Sequence, residues 1–258
     1  MKSNLPLQRL ILPVILLTFI ATESFSQVTR GAYLQMGHQT RITISWQTSA
    51  ASDSRVRIGA SYMASGLYAT FIDVPASVTE HVVTLSGLTP DTKYFYSIGT
   101  TAAVQQVSAN NFFTTAPPAN TTRKIRIAAF GDCGQESSAV NQTASLGAYQ
   151  TYLSNNGIDA PDAWILLGDN AYNVGNATEY TSKFFTPYAG STNNILRNHK
   201  LFPSPGNHEY NNSQLTADRI RRDWHYFSAF TFPQNGECGG TASTKPNFYS
   251  FDIGNIHF

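Results

Sequence analysis

Trp164-Ile-Leu-Leu-Gly-Asp-Asn-Ala-Tyr172 decides how this chain is read. Four apolar residues closed by a glycine predict a strand of a parallel sheet, buried on both faces because helices cover both sides of such sheets. Gly168 lets the backbone turn at the strand end without a Cβ clash. The turn can then aim the Asp169 carboxylate and the Tyr172 phenol, three residues on, toward one point. In open α/β sheets ligands collect at the carboxyl ends of strands, so an acid at this exit is placed to hold a cation. Taken alone, so short a motif also fits an ordinary strand-to-loop turn.

Two further stretches favour the cation. Lys124-Ile-Arg-Ile-Ala-Ala-Phe-Gly-Asp-Cys-Gly134 is a second β-rich run ended by Gly-Asp, which puts Asp132 at the same kind of exit. Leu201-Phe-Pro-Ser-Pro-Gly-Asn-His-Glu-Tyr210 repeats the pattern with Gly206, Asn207, His208 and Glu209. Three successive strands thus deliver oxygen or nitrogen donors to one edge of a sheet.

Helix-like segments fall between these strands, which is the α/β signature. Gln142–Asn155 carries Leu146, Tyr149, Tyr152 and Leu153 near helical spacing. Glu179–Tyr188 and Leu215–Phe227 are two further helix candidates.

Upstream the pattern changes. Arg41-Ile-Thr-Ile-Ser-Trp46 alternates with Ile42, Ile44 and Trp46 on one face; His81–Leu85 puts Val83 and Leu85 inward, and Thr92–Ile98 groups Tyr94, Tyr96 and Ile98. Short strands separated by turn signals predict an antiparallel sandwich. Within it, Leu88-Thr-Pro-Asp-Thr-Lys-Tyr-Phe-Tyr96 resembles the fibronectin type III pattern. Ala116–Thr122, with two prolines, reads as a linker.

The first residues have the layout of a secretory signal peptide. Lys2 and Arg9 precede an apolar run from Leu10 to Ile20, and small residues surround Phe25 before Gln27. The run is too short for a membrane-spanning helix. We expect a leader over residues 1–26, a location outside the cytoplasm or in the periplasm, and no integral membrane segment. Of the formal charge of +1 at pH 7, the leader's two cations and one anion supply the whole surplus. No basic field for nucleic acid remains. With only two cysteines, Cys133 and Cys238, there is no disulfide framework. Cys133 reads as a small buried residue beside the site.

Gly131-Asp-Cys-Gly134, Gly168-Asp-Asn-Ala-Tyr172 and Gly206-Asn-His-Glu209 together resemble, in order and spacing, the first three signature motifs of the purple acid phosphatases, a branch of the calcineurin-like metallophosphoesterases. Gly31-Ala-Tyr-Leu-Gln35, Trp46, Tyr226–Pro233 and Phe248–Phe258 extend the likeness over nearly the whole mature chain. The resemblance implies a fibronectin type III-like β-sandwich at 27–117, followed at 123–258 by the N-terminal part of an α/β metallophosphoesterase domain. Most calcineurin-like enzymes carry a histidine two residues after the first aspartate. Here that position is Gly134, and Tyr172 appears instead, as in the purple branch.

Carried over by position, the resemblance makes Asp132 and Tyr172 ligands of a first metal, Asp169 the bridge and Asn207 a ligand of a second, with His208 facing the substrate phosphate as the catalytic imidazole. Glu209 is expected to accept hydrogen bonds rather than to ligate. His38, His81, His199, His225 and His257 sit in no ligand motif. A phenolate is a hard donor suited to Fe(III), with Zn(II), Fe(II) or Mn(II) in the second site. The implied activity is hydrolysis of small phosphate monoesters. Two alternatives are a diesterase or nucleotidase of the same superfamily and a non-catalytic adhesion or carbohydrate-binding protein. The histidines of the family's two later motifs, one of them Gly-His-x-His, have no counterpart between Tyr210 and Phe258, so we expect a C-terminally truncated fragment, inactive by itself. Substrate identity and oligomeric state are not encoded in these motifs.

Overall fold

The computed structural model describes residues 26–134, 139–189, 194–210 and 225–258. Its N-terminal part is built from β1 (Val28–Gln35), β2 (Arg41–Gly59), β3 (Thr70–Ser86), β4 (Lys93–Gly99) and β5 (Val104–Thr114). The long β2 bends within one continuous sheet and serves both layers of the sandwich. Its first half pairs with β1 and the end of β3, its second half with β4 and the start of β3, and the register shifts between Gln47 and Ser54 mark the bend. The two halves close on one core of Ile42, Ile44, Trp46, Val56, Ile58, Val83, Leu85, Tyr96, Ile98 and Phe113. The expected alternation is realised, and His81 joins the inward face, stacked on Trp46 at 4.6 Å.

Downstream, β6 (Ile127–Phe130), β7 (Ala163–Leu167) and β8 (Lys200–Ser204) are parallel neighbours in the order β8-β7-β6. The helix α1 (Ala139–Asn155) connects β6 to β7. After β7 come α2 (Ala177–Glu179), a π-helical turn (Tyr180–Phe185) and α3 (Thr186–Tyr188). The candidate helix Leu215–Phe227 falls almost wholly outside the described residues; its last three positions lie in α4 (His225–Ala229). A terminal hairpin joins β9 (Asp252–Ile253) to β10 (Ile256–His257).

Two layers cover the parallel strands. On one side Trp164 and Leu166 meet Leu146, Phe184, Tyr188, Tyr226 and Phe230, an aromatic-rich core. On the other, Phe202 stacks on Phe251 at 3.7 Å and the segment around the terminal hairpin covers Ala163 and Ile165. β7 is thus covered on both faces, as expected, except at its last residue. The hairpin's cover stops short of the strand end, and Leu167 is 60% exposed.

β1 ties the two parts into one sheet. It pairs antiparallel with β2 and, on its other edge, parallel with β8, Leu34 beside Lys200 and Gln35 beside Leu201. Its side chains alternate between two cores: Ala32 and Leu34 in the sandwich, Tyr33 among the aromatics around Trp164. Strand β8, which leads into Gly206–Glu209, is thereby laid against the N-terminal sheet. Among the described residues no helix is long and apolar enough to cross a membrane.

Candidate metal centre

Three turns at the carboxyl ends of β6, β7 and β8 build the site. Their backbones are tied directly: the Asp132 N–H donates to the Gly168 carbonyl at 3.1 Å, and the Tyr172 N–H to the Gly134 carbonyl at 3.1 Å. The turns after β7 and β8 touch without intervening side chains. A Cβ on Gly206 would stand 2.1 Å from Oδ1 of Asp169, so only glycine allows that approach. Asp132 and Asp169 both adopt φ of 53°, a left-handed conformation that non-glycine residues seldom take.

The Tyr172 hydroxyl donates to Oδ2 of Asp169 at 3.0 Å and, through a very short hydrogen bond, to Oδ1 of Asp132. Desolvation first, then these two hydrogen bonds and the charge of both carboxylates, push the phenol well above its ordinary pKa. Oδ1 of Asp169 accepts from the His208 N–H at 3.1 Å. The His208 ring lies against Tyr172 with centroids 4.2 Å apart, and its Nδ1 is 2.6 Å from the Asn173 carbonyl oxygen. A carbonyl can only accept, so Nδ1 carries the proton and Nε2 is the acceptor of the neutral ring. Asn207 lies between Gly206 and His208, exposed, and its carbonyl accepts from the Tyr210 N–H at 3.2 Å.

The structure therefore brings Asp132, Asp169 and Tyr172 to one point and sets His208 against it, with Asn207 in the adjoining turn. Among the described residues no group of three His, Cys, Asp or Glu side chains could hold a metal ion. The local donor set is instead two carboxylates and a phenol, all hard oxygen donors of the kind that suit a hard cation. Neither Asp132 nor Asp169 forms an ion pair among the described residues; the phenol proton is shared between them and the His208 N–H meets Asp169. These residues fit a metal centre. A cavity of about 400 Å3 opens beside Asp132, between β6 and α1, walled by Phe130, Gln142, Leu146 and Tyr149.

Cys133 and Cys238 are free thiols buried in different cores. Burial pushes Cys133 up to about 12, so the thiol stays neutral there. Two supporting residues have no sequence motif. Lys183, from the π turn, donates to the Tyr172 carbonyl at 2.5 Å, and the Gln142 side chain of α1 donates to the carbonyls of Cys133 and Lys183. The Glu179–Lys183 spacing marks a helix but says nothing about which carbonyl the lysine will reach.

Comparisons with known proteins give the family of both parts of the chain. Residues 125–256 match the family model described as calcineurin-like phosphoesterase, and residues 30–115 the one described as purple acid phosphatase, N-terminal domain. No curated protein sequence matches the chain. Among solved structures, a purple acid phosphatase, PPD1, from yellow lupin (Lupinus luteus) seeds is similar with a TM-score of 0.51 at 16% identity, over 69% of this chain and 35% of that one. The structure of PhoD is similar with a TM-score of 0.58 at 12% identity, over 88% of this chain and 50% of that one. At such identities the likeness is one of fold. The chain spans about a third of the length of the lupin protein and half that of PhoD.

Proposed function

We propose, because this chain belongs to the calcineurin-like phosphoesterase family and carries the N-terminal domain of the purple acid phosphatases, that it contributes the metal-bearing turns of a binuclear phosphatase acting on small phosphate monoesters. The observation that carries the reading is the Tyr172 phenol shared by Asp132 and Asp169. We assign Asp132 and Tyr172 to an Fe(III) site, Asn207 to a site for Zn(II), Fe(II) or Mn(II), and Asp169 to the bridge between them. A metal pair held there supplies Lewis-acid charge toward phosphoryl oxygens and lowers the pKa of a water molecule.

The chain's own residues contribute position and a proton. The two left-handed aspartates and Tyr172 fix where the positive charge sits, at an open sheet edge that a phosphate can reach. His208 is held by its Nδ1–H on the Asn173 carbonyl and by contact with Tyr172. Its Nε2 remains for the substrate: protonated, it donates to a phosphoryl oxygen or to the leaving oxygen, the general-acid role open to an imidazole. We also propose that residues 1–26 direct the chain out of the cytoplasm.

Hydrolysis of p-nitrophenyl phosphate and of its bis ester, by the chain extended to include the family's two later histidine motifs, tests the reading. The expected result is a preference for the monoester that falls to background in Asp169→Asn and on removal of metal. A preference for the bis ester moves the function to diesters. Hydrolysis that survives both the substitution and metal removal overturns the metal-centre reading.

A further inference from the structure

Glu209 follows the third motif's asparagine and histidine, yet its carboxylate faces away from solvent, 2% exposed. Oε1 accepts from the Asn170 N–H at 2.7 Å, the Ala171 N–H at 3.3 Å and the Tyr180 hydroxyl at 3.1 Å. Oε2 accepts from the Asp169 N–H at 3.0 Å and the Gly206 N–H at 2.6 Å. Five donors thus converge on one carboxylate, and three come from consecutive residues. Successive backbone N–H groups in a turn make a concavity that binds anions, and here a side chain of the chain itself is the anion. Burying a carboxylate is costly unless donors satisfy it, and among the described residues no cation pairs with this one.

We propose that Glu209 is a positioning residue. By filling the nest of residues 169–171 while holding Gly206 at the head of its own turn, it fixes the left-handed backbone of Asp169 and the distance from Asp169 to the Asn207–His208 turn. It touches neither metal nor substrate. Tyr180, the first residue of the π turn and fully buried, anchors the same carboxylate to the helical layer. A carboxylate, which offers acceptors on both oxygens, is the side chain this place needs. A glutamine would turn an N–H2 group toward backbone N–H donors, and an aspartate is one methylene too short to serve both turns.

The inference rests on the metal-centre reading above, and the experiment separates the two. Mn(II) affinity of the metal-stripped protein is measured for wild type, Glu209→Gln, Tyr180→Phe and Asp169→Asn, alongside amide hydrogen exchange of residues 168–172 without metal. Glu209→Gln is expected to weaken Mn(II) binding about 10- to 100-fold, the usual effect of losing a partner behind the ligands, and to speed exchange at Asn170 and Ala171. Tyr180→Phe, which removes one donor of the five, is expected to weaken binding about threefold or more. Wild-type affinity in a folded Glu209→Gln protein, with Asp169→Asn impaired, overturns the positioning role alone. Undiminished affinity in Asp169→Asn overturns the metal centre itself. If Glu209→Gln does not fold, wild-type affinity in Tyr180→Phe overturns the proposal.

Discussion

Oδ2 of Asp169 accepts from the hydroxyl of Tyr172 at 3.0 Å, and that hydroxyl also donates to Asp132. Without a cation the phenol keeps its proton, because burial and the two carboxylates raise its pKa. The shared proton then relieves the repulsion between the acids. A trivalent ion competes for the same oxygens. Adding Fe(III) to the metal-free protein should therefore give a visible tyrosinate charge-transfer band in wild type and none in Tyr172→Phe, read by absorption. A band that persists in Tyr172→Phe places the iron elsewhere.

Gly134 stands where most calcineurin-like enzymes carry a histidine, and a Cβ there would lie 1.9 Å from the Asn170 carbonyl oxygen. That carbonyl belongs to the turn carrying Asp169, so no flexible side chain can yield. Gly134→Ala should destabilise the fold by about 1–3 kcal/mol, the usual cost of overpacking. At Gly147 in α1 a Cβ would meet nothing within 4 Å, and the backbone there is not left-handed. Gly147→Ala should stabilise by about 0.5–1 kcal/mol through helix propensity. Urea unfolding of both variants measures the contrast, and equal effects would contradict it.

Acid should weaken this fold. Burial, aided by the charge of Lys200, lowers His199 to about 3, and burial with Arg30 lowers His225 to about 4. In the unfolded chain an imidazole titrates near 6.5. Between about 6.5 and the folded values the unfolded chain binds protons that the folded chain refuses, so stability rises with pH through that window and falls on acidification. At pH 4.5 the His199 contribution amounts to about 2–3 kcal/mol lost. His199 Nε2 lies 2.9 Å from the Tyr149 hydroxyl, a contact that glutamine can keep. In His199→Gln the stability difference between pH 7 and pH 4.5, from denaturant unfolding, should shrink by about that amount. An unchanged difference would assign the acid sensitivity to other groups.

The site is legible in the sequence where its chemistry is local. Glycine, acid and phenol at fixed spacing after an apolar run announce Asp132, Asp169 and Tyr172 because strand, turn and donor lie within ten residues of one another. What the sequence hides is long-range. No period in Gly31-Ala-Tyr-Leu-Gln35 says that Leu34 will sit beside Lys200, and a strand buried in two cores at once looks like any apolar strand. Leu167 reads as buried because four apolar residues carry no sign of which face the neighbouring layer reaches. The convergence of five donors on Glu209 is equally invisible, since four are backbone groups that every sequence possesses.

The shared strand makes the two parts unfold together. Gln35 is 1% exposed, donates from Nε2 to the Ser45 hydroxyl at 2.9 Å and accepts from the Thr231 N–H at 2.7 Å. Tyr33 donates to the Ala229 carbonyl at 2.7 Å, and Arg30 lies 4.0 Å above the Phe185 ring. The Thr231, Ala229 and Phe185 contacts cross from the sandwich to the phosphoesterase part, while the Ser45 bond holds Gln35 on the sandwich side. Gln35→Ala leaves the Thr231 N–H without its acceptor, a loss of about 1–3 kcal/mol. Calorimetry of the chain should show one transition in wild type, shifted down but still single in Gln35→Ala. Residues 123–258 expressed alone, lacking Tyr33 from the aromatic core and β1 from the edge of β8, should give no fixed near-ultraviolet dichroism. Two separate transitions, or a folded 123–258, would show that β8 and the Gly206–Glu209 turn hold their places without the N-terminal sheet.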